Sequence, residues 1–363
     1  MALRGVRVLE LSYLLPGPFA TILLSDLGAD VIKVEDPRGD GMRGAPLLPP
    51  FDALNRGKKS IVLDLKTDGG VKSLYALCKT CDVLVQGYRP GVLERLGVGI
   101  ATLRRLCPHL IVCSITGYGL TGPRSMRAGH DLNYLSRSGV LGMSRVPGVP
   151  PTQIADIASG SYPAVIQILA ALIARNSNGG MGCVIDVSMV DNSYALLGVP
   201  RAMESVVGEG AMSGGKFILC GAVPCYDVYP CRGGAGYVSV ACLEKKFWIA
   251  FIDAVGLPQS LHSQGMSPSP KVKSQVAEVI RSKTREEWRV FFETRDLMCE
   301  VVLTPSEASV ELLERMPPVM VGKGTEVVRV VRTPLRMDGG MVHFRTEPAP
   351  KLGEHTDEIL SKL

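Results

Sequence analysis

Short apolar runs alternate with helix-length segments along the first half of the chain. Val6–Leu11 reads as a buried strand, and Pro18–Leu27 follows with helical spacing and a proline in its first turn. Gly28 stops that helix and Val31–Val34 resumes as strand, which makes a βαβ unit. Ser60–Leu63, Asp82–Val85 and Leu110–Ile115 continue the alternation. Strands that are apolar on both faces predict a parallel sheet covered by helices on both sides, an α/β fold. Such sheets take ligands beyond the carboxyl ends of their strands.

Further along, Val165, Ile168, Leu169, Leu172 and Ile173 recur at helical spacing and predict one buried face. Asn176–Gly182 breaks the helix and Cys183–Val187 returns to strand. Residues 188–225 are interrupted by Gly, Ser and Pro and read as a connection between domains. Beyond it, 226–240 reads as β, and helices are expected from about Lys245 to Val255, over Lys271–Ile280 and over Thr284–Thr294.

Composition narrows the class. A chain of 363 residues with 46% apolar and 21% charged residues can bury a core of two domains. The net charge of +5 suits an anionic small ligand, and no basic block of the kind that binds nucleic acid occurs. No uninterrupted apolar run reaches the ~20 residues of a bilayer span, so none is expected. The ten cysteines are scattered through strand and helix patterns and are expected as reduced, buried thiols. Cys78 and Cys81 have redox spacing but end a helix pattern rather than begin one. The first βα turn, Leu14-Leu15-Pro16-Gly17-Pro18, lacks the G-x-G-x-x-G fingerprint, which argues against a nicotinamide dehydrogenase. Ser361-Lys362-Leu363 matches a peroxisomal import address, read in peroxisomes or glycosomes by an import receptor. Mitochondrion or cytoplasm is the alternative location.

Three residues carry candidate proton chemistry. His130 stands between a Gly- and Pro-containing stretch and an apolar segment. An imidazole ordinarily titrates near ~6.5 and can take or give a proton at neutral pH. Its bland alternative is a loop histidine bonded to backbone. Asp156 precedes a strongly apolar helix, where an N-cap is the competing role. Glu244 precedes another helix and is either a surface residue favoured by the dipole or a partner that fixes an imidazole tautomer. Lys33, Arg38, Arg56, Lys59 and Arg89 sit near strand and loop ends and could cradle phosphates, though each alone is more often a solvated surface charge. Pro16 and Gly17 could let backbone approach a ligand arm. Gly117 and Gly119 shape a turn after a strand, and Asp131 adjoins His130.

Several motifs in order resemble the class III CoA-transferase superfamily. They are Leu15-Pro16-Gly17-Pro18-Phe19, Asp26-Leu27-Gly28-Ala29-Asp30-Val31-Ile32-Lys33-Val34-Glu35, Tyr88-Arg89-Pro90-Gly91, Gly117-Tyr118-Gly119 and Leu352-Gly353-Glu354-His355-Thr356-Asp357-Glu358. No one of them is decisive; their order and spacing are. Gly129-His130-Asp131 is similar to the alpha-methylacyl-CoA racemase branch, where transferases usually carry an aromatic residue in place of the imidazole. The resemblance implies a Rossmann-like large domain over 1–188 completed by 326–363, a linker over 189–225 and a smaller α+β domain over 226–325. It also implies an interlocked homodimer, with Glu244 supplied from the partner's small domain. By the same resemblance His130 and Asp156 are the acid/base pair on a 2-methylacyl-CoA thioester. CoA belongs to the substrate, held by Lys33, Arg38, Arg56, Lys59, Arg89, Gly117, Gly119 and Asp131. No metal and no permanent cofactor are expected. In transferases the residue matching Asp156 is instead a nucleophile. Leu120, Cys183 and Cys225 depart from the family's usual residues, and the loop Ser144–Pro151 is short.

Overall fold

The computed structural model describes residues 1–44, 51–323, 326–337, 340–341 and 344–363. They divide into two units. The first comprises Met1–Ser138, Pro150–Leu196 and Leu312–Leu363; the second comprises Gly139–Val149 and Leu197–Glu311.

The first unit is built on six strands: β1 (Arg7–Leu11), β2 (Asp30–Glu35), β3 (Lys59–Val62), β4 (Val83–Gln86), β5 (Ile111–Thr116) and β6 (Val184–Ser188). Their order is β3-β2-β1-β4-β5-β6 and every pairing is parallel. The expected α/β class is therefore observed, with strand ends within a residue or two of the apolar runs. The strands are apolar because helices cover both faces; Leu9, Ile32, Ile61, Leu84 and Val112 are completely buried. Chain direction reverses its walk between β1 and β4. A crevice opens there, at the carboxyl ends, in any open sheet of this order.

Three charges lie inside this core. Glu10 on β1 accepts from Lys33 at 2.9 Å and from Lys58 at 2.8 Å, and all three side chains are fully buried. Burial pulls the Glu10 carboxyl upward, but Lys33 and Lys58 outweigh it and hold it at about 2. Lys33 is held above the ordinary lysine range. Burial opposes its charge, and Glu10 with Asp40 more than offsets that. Its third donor goes to the Ser12 carbonyl at 2.8 Å, so the network braces the turn after β1. In that turn Leu14 takes φ +62°, a left-handed conformation uncommon for a non-glycine residue. Gly17 follows because a Cβ there would lie 2.0 Å from Ser12 Oγ.

Two helical stretches go beyond what the sequence pattern displays. The helical run Ile154–Ala174 spans 21 residues with mean hydropathy 1.7, so by length and composition it could cross a bilayer. It escaped the reading because Asp156, Ser159 and Ser161 interrupt its apolar sequence. A helix in a protein interior passes the same test, and Ala155, Ala164, Val165 and Ile168 of this run are buried. The stretch 189–225, expected as a linker, carries helices Met189–Ala195 and Gly198–Val207. Ser188 begins the first by accepting the Asp191 N–H.

The ten cysteines are free; eight are buried, Cys220 is half-buried and Cys183 is exposed. Burial pushes the Cys78 thiol well above its ordinary range and Cys81 to about 11, which removes the nucleophilic thiolate a redox pair needs. Near the end of the chain, Thr356 accepts the Val62 N–H and Ile359 enters the core beside β3. Ser361, Lys362 and Leu363 follow the helix Thr356–Leu360 and are exposed.

The second unit holds an antiparallel sheet of β7 (Tyr226–Pro230), β8 (Tyr237–Ala241) and β9 (Cys299–Val301). The expected β stretch thus breaks into a hairpin, where Gly233 supplies φ +74°. Helices Lys245–Ala254, Pro270–Arg281 and Arg285–Glu293 cover it, the last opened by a capping box of Thr284 and Glu287. Trp288 stacks on Phe292 in this core and donates to the Ile280 carbonyl at 2.8 Å.

Candidate active site

The turns after β1 and β4 meet the turn after β5 around a cavity of about 210 Å³. Its walls include Pro16, Gly17, Arg89, Gly117, His130 and Asp156. The sequence separates these residues by up to 140 positions; the sheet order brings them together.

His130 immediately precedes the helix Asp131–Ser138. Its carbonyl accepts the Asn133 and Tyr134 N–H groups, and its own N–H donates to Asn133 Oδ1 at 3.0 Å. The backbone is thereby fixed while the ring stays exposed at the cavity mouth. Asp156 ends a short helical turn, Ile154–Asp156, that continues through a π-helical turn, Ile157–Ser161, into the helix Tyr162–Ala174. Its carboxylate caps nothing, so the N-cap role expected as its alternative is not taken. Such widened turns are rare and concentrate at functional sites. Ser161 bonds the Asp156 carbonyl at 3.0 Å and the Pro16 carbonyl at 2.7 Å, tying this turn to the one after β1.

Electrostatically Asp156 is the unusual group. Burial pushes its carboxyl up to about 6; the Asp131 carboxylate adds to this, and His130 opposes it. Asp131 accepts the Asp156 N–H at 2.9 Å, so the carboxylate that perturbs Asp156 also positions its backbone. A half-buried acid that titrates near neutrality, facing an imidazole, can exchange protons in either direction.

Tyr134 shapes the floor. Its hydroxyl donates to the Gly129 carbonyl at 2.5 Å, and its ring lies where side chains of Gly117 and Gly129 would be, at 2.4 and 2.7 Å from their Cβ positions. Gly119 instead serves the backbone: it takes φ +83° and donates to Thr116 Oγ1 at 3.0 Å. Sequence reasoning passed over Tyr13, Ser125, Arg127 and Tyr134, all of which line the cavity. Only Tyr134 left a signal, four positions after His130 and so on the same side of a helix start.

The CoA-transferase family III model matches residues 3–356. The chain belongs to CoA-transferase family III. Within the curated relatives, human alpha-methylacyl-CoA racemase is 34% identical over 373 residues, covering 100% of this chain and 94% of the relative. Human succinyl-CoA:glutarate CoA-transferase is 31% identical over 387 residues, covering 99% and 86%. Among solved structures, a CAIB/BAIF family protein from Brucella suis superposes with TM-score 0.83 at 27% identity, covering 99% of this chain and 98% of its own. The chain is an enzyme of this family, with relatives of both racemase and transferase kinds.

The expected phosphate cradle of this family III chain is only partly where it was sought. Lys33 spends its three donors on Glu10, Ser12 and Asp40 and is fully buried, so it cannot meet a phosphate. Arg56 is buried against Asp26 at 2.6 Å, its guanidinium over the Phe344 ring. Lys59 pairs with Asp30 at 2.9 Å at the start of β3, the end of the sheet opposite the cavity. The reason is common to all three: a cation near a strand reads as a loop charge until the partner carboxylate is seen. Asp131 is likewise engaged by the Asp156 N–H rather than turned to a phosphate.

Arg38 and Arg89 remain exposed. Arg89 lines the His130 cavity, and Arg38, paired with Asp36 at 2.8 Å, lines a second cavity of about 370 Å³ beyond β1–β3. This second cavity is the larger, but it holds neither His130 nor Asp156; Leu63, Leu65 and Lys66 are among its walls. Glu244 belongs to the second unit, where it precedes the helix Lys245–Ala254 as an exposed residue with no capping bond.

Proposed function

We propose that this enzyme racemises 2-methylacyl-CoA thioesters at C2, with His130 and Asp156 as the two acid/base groups. The observation that carries this reading is their shared cavity, together with an Asp156 carboxyl raised to about 6. Inversion needs one group to accept the C2 proton and another to deliver a proton to the opposite face. In one direction the Asp156 carboxylate takes the proton and the C–H electron pair moves onto the thioester oxygen as an enolate. A protonated His130 then returns a proton to C2 from the other side. The reverse direction starts from neutral His130 and protonated Asp156. A carboxyl near 6 gains and loses its proton close to neutral pH, as a group that must act in both directions requires.

The nucleotide end of CoA is assigned to the larger cavity, with Arg38 and Lys66 facing its phosphates and the apolar Leu63 and Leu65 beneath the base. The functional form is proposed to be a homodimer. Tyr162, Ile166 and Ile173 form an exposed apolar stripe on the helix Tyr162–Ala174, which a second copy would cover. Glu244 of the second copy is the residue proposed to orient His130.

The transferase relatives favour a second reading, in which Asp156 attacks the thioester and forms a mixed anhydride. One experiment separates the two. A single 2-methylacyl-CoA epimer is incubated with enzyme in D₂O and no carboxylate acceptor. Deuterium at C2 with formation of the other epimer supports racemisation. No exchange, with hydroxylamine trapping an acyl group on Asp156, would establish transfer instead.

A further inference from the structure

The His130 cavity and the larger cavity beside it share a wall made by Tyr13 and Tyr88, and each of these side chains lines both. Their hydroxyls are 3.0 Å apart and their rings meet edge to face, with centroids at 5.9 Å. Tyr13 follows β1 and Tyr88 follows β4, the two strands between which the sheet order reverses. The wall therefore stands at the mouth of the crevice where an open sheet of this order takes its ligand.

Both residues are held from behind. Lys33 bonds the Ser12 carbonyl and its ammonium lies 5.7 Å from the Tyr13 ring centre. The Tyr88 N–H donates to Gln86 Oε1 at 2.7 Å. Burial pushes the ionisation of both phenols to higher pH, so each remains a neutral donor and acceptor across the physiological range. Within the wall, one hydroxyl donates to the other, which leaves one O–H proton and the remaining lone pairs for a ligand.

We propose that Tyr13 and Tyr88 are specificity-determining residues that read the amide-bearing arm of the CoA thioester as it passes from one cavity to the other. The inference rests on the acyl-CoA reading above. With the nucleotide in the larger cavity and the thioester between His130 and Asp156, the arm has to cross the line these phenols occupy. The arm carries two secondary amides, each with one donor and one strong acceptor. The phenols part, and the hydrogen bond they make to each other is exchanged for bonds to the arm. A thioester without amides cannot compensate for that separation, so the wall discriminates against simple thioesters without touching the reacting carbon.

Isothermal titration of wild type, Tyr13→Phe and Tyr88→Phe with CoA and with ADP tests this. ADP carries the nucleotide end and no arm. Each variant is expected to lose about two- to tenfold in CoA affinity, the range of one net hydrogen bond, while ADP affinity holds. In turnover of a 2-methylacyl-CoA the loss in kcat/KM is expected to fall on KM. An unchanged melting temperature would confirm that the variants are folded. Equal weakening of CoA and ADP, or CoA affinity equal to wild type, would overturn the assignment. Wild type that binds neither ligand would instead overturn the acyl-CoA reading itself, a result distinct from either of those.

Discussion

Asp156→Asn should remove activity and at the same time make the protein more stable. The Asp156 carboxyl is raised from 3.8 to about 6, first by burial and then by Asp131, with His130 only partly opposing. A folded-state value above the unfolded one means that the native protein holds its proton more tightly. Below 3.8 the group is protonated in both states and has no effect. As pH rises from 3.8 to about 6 the unfolded chain releases the proton first, and native stability falls; above about 6 the full penalty is present. At ~1.4 kcal/mol per pH unit that penalty is of the order of 3 kcal/mol. Asparagine has the shape of the protonated acid without its charge. The variant is therefore expected to exceed wild type by about 1–3 kcal/mol at pH 8, with the gap closing toward pH 4. Paired thermal or urea unfolding across that range measures it, and loss of C2 proton exchange by about 10²–10⁴ is the accompanying kinetic result. A stability difference that does not vary with pH, or a variant less stable than wild type at pH 8, would refute the claim that Asp156 is held in a destabilised ionised state.

Other outcomes follow from the same geometry. His130→Ala should lower turnover by about 10²–10⁴ without altering the melting temperature, because the ring is exposed and only its backbone supports the fold. Gly117→Ala places a methyl group 2.4 Å from the Tyr134 ring, and an expected loss of about 1–3 kcal/mol should show in unfolding, while Gly142→Ala, with open space around it, should not. Lys33→Met leaves Asp40 and part of Glu10 without a countercharge, so a destabilisation of about 3–5 kcal/mol is expected, measured by chemical denaturation. Glu10, held at about 2, contributes stability that is present above 4.5 and is lost as pH falls toward 2, so acid unfolding of wild type should steepen in that window.

The strands of the sheet were readable from the chain because parallel strands buried on both faces must be apolar along their whole length. That is a local property, and Val8, Ile32, Leu84 and Val112 display it without reference to one another. The helices of the second unit were readable for a related reason: Ser269 and Thr284 cap their starts with local hydrogen bonds. Helix-forming residues in 189–225 were hidden by Gly and Pro, which mark chain breaks in isolation and were accommodated here at helix starts, as at Gly198 and Pro200.

His130 and Asp156 could be named from their residue types and their motif, but the sequence holds no information on the acidity of Asp156. That depends on Asp131 lying against it and on burial beneath a widened helical turn, neither of which spacing encodes. The cations show the opposite case. Lys33, Arg56 and Lys59 have the composition of a phosphate site, yet folding commits each to a carboxylate 23, 30 or 29 positions away. A charge declares its sign in the sequence, and only tertiary packing decides which opposite charge it meets. The chain by itself thus determined the strands, the family and which titratable residues were candidates for the site. Tertiary structure decided which charges are internal struts and which face ligand, because Coulomb energy depends on distances that the order of residues does not contain.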